Sequence, residues 1–249
     1  MRLNFAGTSD TGCIRSVNQD AYYMDPEGRF FIVADGMGGH AGGQEASRIA
    51  TEVIQAHLDS NWEDSQPSPK LLEAAFSKAN EAIIEDQEAN PERSDMGTTA
   101  VVLIFREEQP WCANVGDSRL YRFRGKNLEQ ITHDQTWVAQ AVRKNALTPE
   151  QARSHPWRHV LSQCLGREDM GKVDLFPVDV EPGDRLLLSS DGLTEELSDD
   201  VIAPILLKAS MLSSSDACEA ITEKLVNTAK DQGGHDNITV IIVAVGKKK

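Results

Sequence analysis

The chain has 249 residues, 40% of them hydrophobic and 26% charged, which is ordinary globular usage and excludes a disordered or collagen-like chain. Asp and Glu outnumber Lys and Arg by 39 to 25, so the formal net charge is −14. A surface this acidic repels phosphate backbones and anionic lipid, and we therefore expect neither nucleic-acid nor membrane binding. No apolar run approaches the ~20 residues of a transmembrane helix, and the first ten residues lack the apolar stretch of a signal peptide, so we expect a cytoplasmic protein.

No repeat of 20–50 residues and no linker divides the chain, which predicts a single domain over residues 1–249. The four cysteines lie far apart without a C-x-x-C pair, so neither a zinc knuckle nor a disulfide framework is indicated. We expect buried free thiols at Cys13, Cys112, Cys164 and Cys218.

The first half of the chain predicts two strands followed by two helices. Apolar runs of strand length stand at Leu3–Thr8 and at Phe30–Ala34, the second ending at Asp35-Gly36. From Gly43 onward, apolar residues recur at helical spacing, and a second helical pattern covers residues 72–83.

The second half predicts mostly strands with short connections, which favour antiparallel pairing. Strands outnumber what a regular βαβ alternation would supply, so the element order indicates an α+β fold with helices outside antiparallel sheets. The predicted strands are 100–105, 111–115, 119–123, 173–180, 185–190 and 238–245, and the predicted helices are 136–145, 149–154, one opening at Ser198 and one over 215–230.

Aspartates at the ends of four apolar strands are the most informative pattern. Like-charged carboxylates gathered at one sheet edge repel one another, so they are either solvated apart or hold cations. All-oxygen ligands without Cys or His select hard ions such as Mg²⁺, Mn²⁺ or Ca²⁺. Asp-Gly and Asp-Asn are also common turn pairs, so any single aspartate is equally well explained by a turn. The four together favour a metal site at Asp35, Asp117, Asp191 and Asp236.

The glycine-rich segment 35–43 follows a strand and precedes a helix, as a dinucleotide-binding loop does. That match is weak because no second parallel strand follows at the required distance. The glycines either let backbone carbonyls approach a bound ion or simply make turns. His40 lies among them and has a near-neutral pKa that suits proton transfer, whereas His133, His155, His159 and His235 have weaker individual claims.

Arg15 stands close to Asn18 and Asp20, and its guanidinium matches a phosphoryl group bidentately, although an isolated arginine is more often a surface charge. Taken in order, the motifs of the chain resemble the metal-dependent protein serine/threonine phosphatases of type 2C in their compact bacterial form. The resemblance spans about residues 3–245 and is carried by Arg15-x-x-Asn18-x-Asp20, Asp35-Gly36-Met37-Gly38-Gly39-His40, Met96-Gly97-Thr98-Thr99, Val115-Gly116-Asp117-Ser118-Arg119, Ser190-Asp191-Gly192-Leu193 and Asp236-Asn237.

The resemblance implies a four-layer αββα sandwich of two antiparallel sheets flanked by helices, with a flap over about residues 134–166. It also implies two core Mn²⁺ or Mg²⁺ ions and a third, weaker one. By this resemblance Asp35 bridges the two core ions, the Gly36 carbonyl binds the first ion, and Asp20 contacts that ion through water. Asp191 and Asp236 bind the second ion, and Asn237 supports the loop. Asp117 joins Asp191 at the third ion, and Arg15 binds the phosphate.

The implied reaction is hydrolysis of phosphoserine or phosphothreonine on proteins, by direct attack of a water or hydroxide that bridges two divalent ions. The animal enzymes have histidine directly after Asp-Gly, where this chain has Met37, so His40 and a metal-bound water are alternative general acids. The residues of 155–169 are similar to those of cyanobacterial members that act on the phosphorylated nitrogen-signalling protein PII, which implies PII as substrate for a monomeric enzyme.

Two other classes fit part of the pattern. A phosphatase-like scaffold that binds phosphoproteins without turnover would share the fold, but such proteins usually lose metal aspartates, and all are present here. A calcium-binding module would also use oxygen ligands, yet it has no need of Arg15. Divalent-ion dependence of phosphate release separates the three classes.

Overall fold

The computed structural model of the chain describes residues 1–39, 42–153, 155–208 and 215–247. Its strands form two sheets in which all neighbouring strands are antiparallel. The strands are β1 (Arg2–Asp10), β2 (Asp20–Met24), β3 (Phe30–Met37), β4 (Gly97–Thr98), β5 (Ala100–Ile104), β6 (Trp111–Val115), β7 (Arg119–Arg124), β8 (Asn127–Gln130), β9 (Asp174–Pro177), β10 (Arg185–Ser189) and β11 (Ile238–Gly246).

Sheet I has the strand order β1-β11-β10-β7-β8, and sheet II has the order β2-β3-β5-β6-β9 with β4 paired to β3. Helices cover the outer face of each sheet. Sheet II is covered by α1 (Gly42–Asn61) and α2 (Ser68–Ala89), and sheet I by α5 (Asp191–Glu196), α6 (Asp199–Lys208) and α7 (Ser215–Gln232). The connection between β8 and β9 contains α3 (Trp137–Arg143) and α4 (Pro149–Arg153).

Alternation along the central strands creates the four layers. In β3, Phe30 and Ile32 pack beneath α1 and α2, whereas Phe31 and Val33 face the other sheet. The same period of two holds in β11, where even-numbered residues face the helices of sheet I and Ile241 faces sheet II. Strands that are buried on both faces have unbroken apolar sequences, which is why these strands could be predicted from the sequence. The α+β sandwich predicted from the sequence is confirmed.

Four elements were not predicted from the sequence: β2, β4, β8 and α5. β2 and β8 are short strands of half-buried, mostly polar or aromatic residues, so neither forms an apolar run. The short helix α5 begins at Asp191, where the sequence suggested only a turn. β3 also continues through Asp35 and Gly36 to Met37, because β4 pairs with its last residues.

Thr148 caps α4, because its Oγ1 atom accepts from the Gln151 amide at 3.2 Å. The expectation for the cysteines was wrong at Cys13, which is exposed, whereas the other three are buried; all four are free. Cys13 lies in the loop after β1 rather than in a strand or helix. None of the helices in the described ranges is long and apolar enough to cross a membrane.

Candidate metal centre and active site

The four strand-end aspartates meet at one edge of the sandwich. Asp35 is on β3, Asp117 follows β6, Asp191 follows β10, and Asp236 precedes β11, so both sheets contribute two. All four line a cavity of about 250 Å³. The gathering predicted from the sequence is therefore observed. The other lining residues are Arg15, Gln19, Gly36, Met37, Gly38, Thr99, His159 and Leu161.

Asp20 lies outside this lining but directly opposite Asp35 in the β2–β3 register. Its Oδ2 atom accepts a hydrogen bond of 2.7 Å from the Ser190 hydroxyl. Its Oδ1 atom is buried and has no hydrogen-bond partner. A buried carboxylate oxygen left without a donor is costly, and a cation or its water shell is the natural partner.

Crowding and burial shift the titration of these groups. Removal from water raises the pKa of Asp35 well above its usual value, and the neighbouring carboxylates of Asp20 and Asp191 raise it further. The same causes raise the pKa of Asp117 and of Asp191, and desolvation raises that of Asp20 to about 7. Without a cation, the cluster therefore resists full ionisation near neutral pH.

The backbone at Gly36 is held in close contact with its surroundings. A Cβ atom there would lie 1.9 Å from the Gly43 carbonyl oxygen, so only glycine fits. The Gly36 amide donates to the Gln19 carbonyl at 3.1 Å. The Asp35 amide donates to Thr99 Oγ1 at 3.0 Å, and Thr98 Oγ1 donates to the Asp35 carbonyl at 2.9 Å. These contacts fix the Asp35-Gly36 segment against the floor of the cavity.

Arg15 lies at the cavity with its Nη2 atom 2.7 Å from Asp236 Oδ2, and its side chain is 52% exposed. Asn237 ties the Arg15 loop to β11. Its Oδ1 atom accepts from the Gln19 amide at 2.7 Å, and its Nδ2 atom donates to the carbonyls of Thr11 and Val17 at 3.0 Å each. The sequence-derived site residues on the loop and on β11 are thus one connected unit.

Two residues of the site were missed or underrated in the sequence. His159 lines the cavity, and its Nδ1 atom is in close contact with a carboxylate oxygen of Glu195 on α5. Burial lowers the pKa of His159 and raises that of Glu195 to about 8, so both changes favour the neutral forms. Neither residue stands in a spacing that signals a site, because they meet only through the fold. His40, a predicted site residue, lies outside the described residues.

The donor set fits a hard divalent ion. The cavity presents carboxylate oxygens from four aspartates and the backbone of Gly36, with Asp20 Oδ1 unpartnered nearby. The ligand atoms of His159, Asp191 and Glu195 also lie within 4.8 Å of one another. In that second group the histidine nitrogen already pairs with Glu195. Among the described residues, the cationic side chain paired with an aspartate of the cavity around Asp35 is Arg15, at Asp236.

Comparison with known proteins identifies the class. Residues 14–240 match the family model described as protein phosphatase 2C. The chain is 36% identical over 246 residues to the serine/threonine protein phosphatase PstP of Mycobacterium tuberculosis, covering 98% of this chain and 45% of PstP. It is 36% identical over 248 residues to the protein phosphatase PhpP of Streptococcus pneumoniae, covering 96% of each.

Solved structures of related proteins support the same family assignment. The crystal structure of M. tuberculosis PstP superposes with a TM-score of 0.86 at 33% identity, over 98% of this chain and 99% of that one. The PstP catalytic domain in complex with two manganese ions gives a TM-score of 0.83 at 33% identity, over 98% and 99% of the two chains. The fold and the site thus resemble those of bacterial serine/threonine protein phosphatases, one of which was solved with two manganese ions.

The chain belongs to the protein phosphatase 2C family. It spans about half the length of PstP and nearly the whole length of PhpP.

Divalent ions are expected to stabilise the fold, and more so at higher pH. Asp20 and its neighbours have folded pKa values above their unfolded ones, so the metal-free protein loses stability as pH rises from about 4 through about 7. Mn²⁺ at about 100 times its Kd adds about 2.7 kcal/mol, or roughly 5–10 °C in Tm for a chain of this size. Thermal melts at pH 5 and pH 8, with Mn²⁺ or EDTA, measure both effects.

Asp20→Asn is the matched variant for this prediction. It removes one buried charge at constant shape, so the metal-free Tm should rise at pH 8 and rise less at pH 5, where the folded aspartate is largely protonated and only its ionisation in the unfolded chain is lost. The Mn²⁺-induced increase should be smaller than in the parent chain. A Tm that ignores both Mn²⁺ and EDTA across this pH range would contradict the assignment of the cavity to metal.

Proposed function

We propose that the chain removes the phosphoryl group from phosphoserine and phosphothreonine in proteins by direct attack of water on phosphorus. The single observation that carries this proposal is the convergence of Asp35, Asp117, Asp191 and Asp236 on one cavity that Arg15 also lines. Such a cavity offers oxygen ligands for cations and a guanidinium for a phosphate. Family membership supports the same reaction class.

In this proposal, Asp35 and the Gly36 carbonyl hold the first ion with Asp20 reaching it through water, and Asp191 and Asp236 complete the site of the second. A pair of divalent ions there supplies a water of lowered pKa and offsets charge on the phosphoryl oxygens. Asp117 serves a third, weaker site beside Asp191. The raised pKa values of Asp35 and Asp191 support this arrangement, because the carboxylates need a positive partner to ionise together.

Arg15 orients the phosphoryl group. It donates one hydrogen bond to Asp236 and is half exposed at the cavity, so its other guanidinium donors are accessible. A planar fork of donors matches two phosphate oxygens at once, which a lysine ammonium does not. If Asp236 held a cation, its bond to Arg15 would be released and the whole guanidinium would be available to the substrate.

The departing serine or threonine oxygen must gain a proton as its bond to phosphorus breaks. His40 remains our proposal for this donor from the sequence. Among histidines in the described part of the chain, His159 is the one that lines the cavity, and its pairing with Glu195 leaves Nε2 as its second ring nitrogen. His159 is therefore a second candidate for the proton donor.

Residues 134–166 form the flap in this proposal, and the substrate is phosphorylated PII, acted on by a monomer in the cytoplasm. Similarity of residues 155–169 to cyanobacterial members supports the choice of PII. Hydrolysis assays decide the proposal. Purified protein is offered phosphorylated PII, unrelated phosphoproteins and a small aryl phosphate with Mn²⁺, Mg²⁺ or Ca²⁺. Tight binding of phosphoproteins without phosphate release would favour a scaffold, and Ca²⁺ binding alone would favour a calcium module.

Asp191→Ala should nearly abolish turnover, because the residue lies between the carboxylates assigned to both ions. Chelation with EDTA should do the same to the parent protein, and added Mn²⁺ should restore it. Phosphate release from a phosphothreonine peptide measures the rate, and isothermal calorimetry counts the bound ions. Undiminished activity after exhaustive chelation would refute the metal-dependent mechanism.

Arg15→Ala should raise KM about tenfold or more for a phosphopeptide, since the lost charge-assisted bonds to phosphate are worth roughly 1.5–3 kcal/mol. Ion binding should persist, because the core aspartates are intact. Arg15→Lys is the matched control: it keeps the charge but not the fork, and should recover only part of the loss. If calorimetry shows that Arg15→Ala mainly removes metal, the residue acts structurally through Asp236.

Asp117→Ala should fold and still bind two ions, because Asp35, Asp191 and Asp236 remain. Its turnover should fall by roughly tenfold or more if the outer ion helps to deliver a proton or water, since such assistance contributes about 10²–10⁴. Metal titration combined with single-turnover kinetics checks this. One fewer bound ion with unchanged kcat would make the third ion a bystander.

A further inference from the structure

Large exposed hydrophobic side chains concentrate at the cavity. Among the described residues eight such side chains are exposed. Four of them lie in the two segments that supply Arg15, His159 and Leu161 to the cavity wall, and a fifth, on α3, packs against one of these four. Scattered exposed apolar residues need no explanation, whereas a cluster beside a site marks a binding surface. We call these five the rim residues: Ile14, Val17, Trp137, Trp157 and Val160.

The two tryptophans form a preassembled aromatic surface. Their ring centroids are 5.1 Å apart with an interplanar angle of 81°, and the His155 ring lies 5.1 Å from that of Trp137. Trp157 is nevertheless 54% exposed and Trp137 39% exposed, so their packing on each other leaves much of both rings in water. Rigid, partly exposed tryptophans bind apolar side chains at little entropic cost.

The rim is fixed relative to the cavity. The Trp137 amide donates to the Val160 carbonyl at 2.8 Å, and Thr136 forms an isolated bridge with Leu161. Trp157 is two residues from His159, which limits their Cα separation to about 7.6 Å. A polypeptide whose phosphoresidue enters the cavity therefore passes over the rim within one or two residues.

We propose that the rim residues dock the substrate polypeptide through a bulky apolar side chain close to the phosphorylated serine or threonine. The proposal rests on the phosphatase function above. The cavity of about 250 Å³ is lined mainly by charged and polar groups and suits a phosphoryl group, so flanking residues must lie outside it. The exposed rim is made of aliphatic and aromatic side chains, so an apolar side chain is its complement, whereas an acidic flank would be repelled by a chain of net charge −14.

Two phosphothreonine peptides of equal length and charge test the proposal, one with leucines and one with serines on both sides of the phosphothreonine. The parent protein with Mn²⁺ should show a kcat/KM about 5–20-fold higher for the leucine peptide, mainly through KM. Trp157→Ala and Val160→Ala should bring this ratio towards one, and Trp157→Phe should retain most of it. Val201→Ala, at an exposed valine on α6 outside the rim, is the matched control and should leave the ratio intact.

Equal kcat/KM for both peptides in the parent, or a ratio that survives both alanine variants, would overturn the proposal. A rim variant that changes the molar mass in solution but not the ratio would do so too, by assigning the rim to contact between copies. If neither peptide is hydrolysed, the phosphatase function fails, and docking is then decided by binding of dye-labelled phosphonate analogues. Preference for the leucine analogue that Trp157→Ala removes would still support docking.

Discussion

Mutual repulsion of buried carboxylates is the constraint around which this molecule is arranged. Asp35 and Asp191 are close enough for each to shift the pKa of the other, and Asp20 faces Asp35 across a strand pair. Without a positive partner such a cluster takes up protons, because ionisation in a poorly solvated site is unfavourable. A divalent ion removes this penalty. The free energy of ion binding is therefore coupled to the folding of the whole cavity edge.

Rigid surroundings keep the aspartates from relaxing apart. β3 and β11 are buried on both faces, so the carboxylates at their ends cannot withdraw without opening the core. Hydroxyl groups add a second restraint, since Thr99 Oγ1 lies 2.7 Å from Ser118 Oγ while also accepting from the Asp35 amide. The side-chain hydrogen bonds of Asn237 restrain the loop that carries Arg15 in the same way. The carboxylates are thus held in fixed positions, as a preorganised metal centre requires.

The sequence predicted the sandwich and the metal edge for the same reason. Strands buried on both faces leave unbroken apolar runs, and the aspartates follow at their ends. The sequence could not predict a strand that has no apolar run, such as β2. The pairing of β2 with β3 is what brings Asp20 opposite Asp35. The contact of His159 with Glu195 was also beyond prediction, because it joins segments 36 residues apart through tertiary packing rather than spacing. Cys13 was misjudged because the frequent burial of cysteine is a tendency and not a rule.

Two arginines next to the carboxylates carry the same charge but differ in how many hydrogen-bond partners they have. Arg119 makes a two-pronged bond to Asp134, at 2.9 and 2.6 Å, and a further bond of 2.6 Å to the Tyr121 hydroxyl. Burial lowers the pKa of Arg119, but Asp134 and Tyr121 raise it by more, so this cation is permanent and fully engaged. Arg15 has a single partner, Asp236, and twice the exposed fraction, 52% against 25%. A phosphate needs a fork of available donors, which the half-exposed Arg15 guanidinium offers at the cavity, while Arg119, held by Asp134 and Tyr121, supplies a fixed positive field beside Asp117.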